Sequence, residues 1–225
     1  MKLHARLLAI LLALDLFFIA VTGLCGVAVM KGYLSATPDF LNIGRDWSAG
    51  ECLNYVKWAI MAVVLVVAWR RNGHRIHLSL AFFVLLVLAD DSLQFHERGA
   101  ELLVSTFPIL RNQVGFLYEI VIWATMGVVG LTAVIIGLRD APRSERDKVR
   151  VAAILFAAVV FFGMLVDVAH AFADPRSLVS GLLLLLEDGG EMISISVLAA
   201  YVVAVFKPAQ VGASARFRGH EVQRI

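Results

Sequence analysis

The sequence predicts an all-α integral membrane protein with six transmembrane helices, both termini in the cytoplasm, and the last four helices packed as an antiparallel bundle. Three observations predict it. Hydrophobic residues fill 60% of the 225 positions and charged ones 17%, with a mean hydropathy of +0.82; a soluble domain runs nearer one half apolar and one quarter charged. The apolar residues are grouped in runs near the ~20 residues that cross a ~30 Å hydrocarbon core at about 1.5 Å per residue. Lys and Arg collect in every second gap between runs.

The runs are about 6–30, 52–69, 77–104, 115–138, 150–173 and 180–206. They make one transmembrane domain, 1–206, followed by a basic tail, 207–225. Ten-residue alternation is absent, which excludes a β-barrel. Lys2 and Arg6 lead into the first run, but that run is long for a signal-peptide core, is interrupted by Asp15 and lacks an A-x-A site, so it is read as a helix. Thr22-Gly23-Leu24-Cys25 does not make a lipoprotein cleavage site. Gly32, Pro38, Gly44 and Gly50 mark the first outer loop, and Asn72-Gly73 the turn after the second run. Pro108 precedes the fourth run, Pro142 lies in the loop before the fifth, and Pro175 separates the last two. No proline falls inside a span, so kinked or discontinuous helices are not expected. Trp47, Trp58, Tyr33, Tyr55 and Tyr118 gather at outer boundaries, as an aromatic belt does. Cys25 and Cys52 lie toward the outer ends of neighbouring spans; two buried small side chains is the plainer reading there, a disulfide the other.

Orientation follows from charge. Lys2, Arg6, Arg70, Arg71, Arg75, Arg139, Arg143, Arg146, Lys148, Arg150, Lys207, Arg216, Arg218 and Arg224 are 14 of the 20 Lys and Arg. An even number of spans puts all of them on one side. Lys31, Arg45, Lys57, Arg98, Arg111 and Arg176 are the remainder. By the positive-inside rule, the first set is cytoplasmic in a bacterial inner membrane. The tail could also touch anionic lipid headgroups.

Ionisable residues inside spans are costly and mark function. The third span carries Asp90, Asp91, Gln94, His96, Glu97, Arg98 and Glu101; the fourth opens with Glu119; the fifth holds Asp167 and His170; the sixth holds Glu187, Asp188, Glu191 and Ser194. Counting along antiparallel helices places them in one layer of the outer leaflet, about 3–12 Å from the midplane. Asp90, Gln94, Glu97 and Glu101 form one stripe, Glu187, Glu191 and Ser194 another, and Asp167 with His170 an i, i+3 pair. His96 points about 100° away from Glu97. Asp15 is the one deep acid outside the layer, and the inner halves of the spans read as almost free of polar groups. Nine acids face Arg98 as the only permanent cation within these spans, with Lys57 at the outer end of the second span as a second candidate. Such a surplus cannot stay ionised in a low dielectric without protons, metal ions or water.

The residue types favour a mono- or dinuclear metal site. His96, Glu97, Glu119, Asp167, His170, Glu187 and Glu191 would be ligands, and Asp90, Asp91, Gln94, Arg98, Glu101, Asp188 and Ser194 would orient them. The set resembles that of di-iron and di-manganese bundles, although Leu93 stands where an acid three residues before His96 is needed. Acid-rich ligation suits Fe, Mn or Zn. Open coordination positions would allow oxidation or hydrolysis of a lipid-soluble or periplasmic substrate. A proton- or cation-coupled transporter is the alternative. A heme- or quinone-binding subunit is a third; heme is disfavoured by so much negative charge around the histidines. Carboxylic acids acting only as interhelical hydrogen-bond glue, at ~0.6 kcal/mol each, are a fourth. Nucleic-acid binding is not suggested, and no Gly-rich phosphate loop, CxxC or HExxH is present.

Asp90-Asp91-x4-His96-Glu97 with Glu187-Asp188-Gly189 resembles a recurrent pattern of bacterial polytopic membrane proteins that carry a DD-x4-HE helix and a later E-D-G helix. The resemblance covers the third to sixth spans. It implies a shared acidic layer and carries no activity with it.

Overall fold

A computed structural model describes residues 4–106, 115–174 and 177–206. Lys2, Pro108, Arg111, Pro175, Arg176 and the tail 207–225 lie outside the described residues. The described chain is helical, without strands: α1 (Ala5–Met30), α2 (Ala49–Asn72), α3 (Arg75–Leu93), α4 (Phe95–Thr106), α5 (Gly115–Arg139), α6 (Arg143–Val160), α7 (Asp167–Ala171) and α8 (Leu178–Phe206). Six segments are long and apolar enough to cross a membrane: Ala5–Met30, Ala49–Asn72, Arg75–Leu93, Leu117–Arg139, Arg143–Ala171 and Leu178–Phe206. Large apolar side chains such as Phe17, Val63, Ile135 and Ile154 stand exposed on their outer faces, where lipid tails would meet them. The end carrying the 31–48 loop and α4 is called the loop end; the opposite end, with the 73–74 and 140–142 turns, is the basic end.

Local chemistry sets the boundaries. Ser48 Oγ accepts the Glu51 amide at 3.3 Å and starts α2. Gly73, at φ 71°, ends it in the left-handed conformation that glycine adopts without strain. The third span differs from the expected 77–104. It stops at Leu93, Gln94 turns left-handed (φ 54°, ψ 46°), and α4 restarts with a new axis. The carboxylate of Asp90 makes the break possible by accepting the freed His96 amide at 3.0 Å. The predicted stripe from Asp90 through Glu101 is therefore interrupted, and Glu101 ends up exposed.

The fifth span also departs from expectation. Between α6 and α7, residues Phe161–Val166 form a π-helical segment with no proline in it. Such widened turns recur at functional positions. Gly163 and Gly190 mark close approaches: a Cβ on Gly163 would sit 2.6 Å from Glu191 Oε2, and one on Gly190 would strike the Phe162 ring.

α8 lies at the centre. It packs on α1, α2 and α6, while α5 packs on α3 and α4. The closest neighbours of the last span thus include the first two spans, which the sequence leaves outside the bundle. Trp58, Met61 and Leu65 of α2, Ala81 and Val84 of α3, Ala152 and Val159 of α6, and Ile195, Leu198 and Val202 of α8 form the apolar core. Small residues close the α3–α5 seam, where a Cβ on Gly137 would lie 3.0 Å from Ile76 Cα and one on Gly130 would strike Phe83.

Candidate acidic layer at the loop end

Asp15 and Lys57 form a buried ion pair beneath the loop end, both side chains at 0% exposure and 2.6 Å apart. Lys57 Nζ also donates to Asn54 Oδ1 at 2.9 Å and to the Met192 carbonyl at 3.1 Å. The second oxygen of Asp15 accepts from Ser196 Oγ at 2.5 Å. One clasp thereby ties α1, α2 and α8, with every strong donor matched to an acceptor. Asp15 stands ten residues into α1, about 15 Å from its basic end. Sequence reasoning left Asp15 isolated and put Lys57 at the outer boundary. The two are each other's partner.

Above the clasp sits Asp91. Its Oδ2 accepts the Trp58 indole N–H at 2.9 Å, and its carbonyl accepts the Tyr55 hydroxyl at 3.2 Å. Trp58 and Tyr55, expected in an aromatic belt, are buried at 0% and 9%, whereas Trp47 and Tyr33 are exposed at 59% and 79%. An indole that has a carboxylate to bond gains more from that contact than from interfacial water.

Glu191, on α8, lies in the electrostatic field of Asp91, Glu51, Asp188 and Glu187. Glu51, at the first turn of α2, adds its charge to that field, and it was not among the residues the sequence singled out. Its only signal was the Ser48-x-x-Glu51 spacing of a helix start. Asp188 is covered by the outer loop, since a Cβ on Gly44 would fall 2.8 Å from its Oδ2. That loop is pinned by Thr22, whose hydroxyl donates to the Leu41 carbonyl at 2.7 Å. Ser194, expected in the layer, is buried one turn deeper, and it is Ser196 that joins the network.

Two histidine–carboxylate pairs flank this group. His170 Nδ1 is 2.7 Å from Glu187 Oε2, and its Nε2 is 2.9 Å from Ser180 Oγ. The Asp167 carboxyl acts on the same Glu187. On the other side His96 Nδ1 lies 3.1 Å from Asp90 Oδ1, off the axis of a hydrogen bond. Glu97 Oε1 is 4.0 Å from His96 Nε2, and Gln94 donates to Asp46 at 2.7 Å and to Glu97 at 3.2 Å. Glu119 adds its field to both His96 and Glu97. Arg98 is exposed and forms no ion pair among the described residues.

The layer is thus three adjoining groups. The expected ligands His170, Glu187 and Asp167 meet in one, His96, Glu97 and Asp90 in another, and Glu191 with Asp91 and Asp188 in the middle. Among the described residues no three His, Cys, Asp or Glu side chains converge as a set that could hold a metal ion. Both ring nitrogens of His170 already have partners. Cys25 and Cys52 are free thiols.

α4 lies beyond the membrane-spanning segments, and its charges respond to pH. The Asp90 carboxylate, aided by Glu97 and Glu119 and partly opposed by burial, holds His96 above its ordinary 6.5. Burial first, then Asp46, raises Glu97 above its ordinary 4.5. A raised pKa means the fold favours the protonated form. The stability each contributes is fully present below its ordinary value and is lost as pH rises through the folded one. Amides at the start of α4 should therefore lose hydrogen-exchange protection as pH climbs from about 6 toward 8, after correction for intrinsic rates. His96→Gln should flatten that slope. Protection that grows with pH, or an unchanged slope in the variant, would contradict this.

A family model described as "Domain of unknown function (DUF8692)" matches residues 5–205. No curated protein and no solved structure matches the chain.

Proposed function

Because the chain belongs to the DUF8692 family, whose model spans all six helices, we propose one function for the whole helical unit: a multi-pass membrane protein that binds and passes cations through its acidic layer, with the proton as its principal ion. The observation that carries this reading is the gathering of carboxylates from α2, α3 and α8 around Glu191, with Lys57 already neutralised by Asp15. Carboxylates in one another's field at low dielectric trade protons readily, because each ionisation raises the cost of the next. The π-helical turn at Gly163 gives Glu191 its space and supplies a segment that can change register. Histidine–carboxylate pairs on either flank, His170 with Glu187 and His96 with Asp90, extend the route.

The loop end faces the periplasm in this proposal and the basic end the cytoplasm, because 14 of the 20 Lys and Arg fall by sequence in the N-terminus, the tail and alternate gaps between spans, and the described ones among them, such as Arg70, Arg71, Arg75, Arg139 and Arg143, stand at the basic end. A C-terminal fluorescent-protein fusion should then fluoresce and a C-terminal alkaline phosphatase fusion should be inactive; the reverse pair of results would invert the orientation.

Proteoliposomes with an entrapped pH indicator test the function. Wild-type protein should dissipate an imposed proton gradient, and Glu191→Gln, which keeps the shape and removes the titrating group, should abolish the dissipation. Equal rates in the two would end the proton reading. Stoichiometric Fe, Mn or Zn in gently purified protein, lost on His170→Ala, would replace it with a metal centre built on Asp167, His170 and Glu187.

A further inference from the structure

We propose that His77 and Glu145 form a second proton-binding site, at the basic end, on the far side of the apolar core from the acidic layer. The inference rests on the proton-coupled reading and supplies its other terminus. His77 begins α3 and Glu145 begins α6; they are 1% and 6% exposed, and His77 Nε2 lies 2.9 Å from Glu145 Oε2. Lys148 Nζ donates to the other carboxylate oxygen at 2.7 Å. The site is closed by the Phe206 ring of α8, 5.3 Å from the imidazole and 5.5 Å from Lys148 Nζ. Among the described residues, further polar neighbours are His74, with its ring 5.7 Å away, and Tyr201 of α8, whose hydroxyl donates to the Lys148 carbonyl at 3.0 Å. From the α5 side the neighbours of Ile76 are the apolar Val134 and Ala141.

A histidine kept only to pin two helices would be expected to use both ring nitrogens, as His170 does. His77 does not. Among the described residues its Nδ1 is buried without a hydrogen-bond partner, which costs about 1–3 kcal/mol for a buried polar atom. With Nε2–H donated to Glu145, Nδ1 presents a lone pair, and a proton bound there converts the ring to imidazolium. The Nε2–H stays donated to Glu145 Oε2, so the imidazolium is paired with that carboxylate where it forms. Lys148 stays an ammonium throughout. One proton is gained by the pair and none is lost.

Fourteen residues of α3 separate His77 from Asp91, about 21 Å along the helix. The space between is filled by Trp58, Met61, Leu65, Ala81 and Ile195. Two protonatable sites divided by a dry core is the arrangement that lets each be reached from its own face.

Nitrogen NMR of histidine-labelled protein in nanodiscs tests the site on the intact chain. The His77 signal, one of six histidines and assigned by its loss in His77→Gln, should be the Nε2–H tautomer at high pH and take up a proton as pH is lowered across the range in which the protein stays folded. The transition should be displaced in Glu145→Gln and retained in Glu191→Gln, so failure of the acidic-layer reading leaves this result standing. In proteoliposomes His77→Gln should stop proton passage while loop-end proton uptake persists. A His77 ring that holds one tautomer across that range in folded protein overturns the proposal, as does a titration indifferent to Glu145→Gln.

Discussion

Lys57→Met should destabilise the protein by about 3–5 kcal/mol, the cost of leaving a buried charge without its partner. The substitution removes the cation at the centre of three contacts and strands the Asp15 carboxylate at 0% exposure with only Ser196 to bond. The Asn54 amide oxygen and Met192 carbonyl lose a donor at the same time. Asp15→Leu in the same chain should recover most of the loss, because two apolar side chains of similar volume replace two desolvated charges. Unfolding of purified protein in mixed micelles gives both values. A single-variant cost under about 1 kcal/mol, as for an exposed pair, would mean that water reaches the clasp. A double variant no better than the single would mean that Asp15 is held by something other than Lys57.

That clasp also shows where sequence reading stopped. Hydropathy found six spans because lipid imposes a length on every helix that crosses it, and the described helices agree with those spans to within a few residues at most ends. The acidic residues were legible for the same reason: a charge in an apolar run has no bland explanation. Pairing was not legible. Asp15 and Lys57 are 42 residues apart, and their meeting depends on how α1 and α2 rotate against α8, which no period in the sequence encodes. Gln94 could not be foreseen as a break because nothing about a glutamine demands φ 54°; the Asp90 side chain accepts the amide that the break exposes. The π-helical turn at Phe161–Val166 likewise contains no proline, and its visible cause is the close fit of Gly163 and Phe162 against α8. His77 looked like the start of a span, and became significant only when α6 placed Glu145 beside it.

Trp58→Ala should cost about 3–5 kcal/mol, as truncation of a fully buried aromatic does. Trp58 joins two regions. Its ring is part of the apolar core with Met61, Leu65 and Ile195 and meets Phe156 edge-on at 6.3 Å. Its indole N–H holds Asp91 Oδ2 at 2.9 Å. Trp58→Phe separates these roles, since it keeps most of the ring volume and removes the donor. It should cost about 1–3 kcal/mol, chiefly the penalty for a buried acceptor left unmatched. If the hydrogen bond matters only for stability, proton passage in proteoliposomes should survive in Trp58→Phe at temperatures where the protein is folded. If the indole fixes Asp91 toward Glu191, passage should fall in Trp58→Phe even though the fold is intact, and the same loss should appear in Asp91→Asn. Equal stability costs for the Phe and Ala variants would show that the donor, and not the packed ring, is what the core requires at this position.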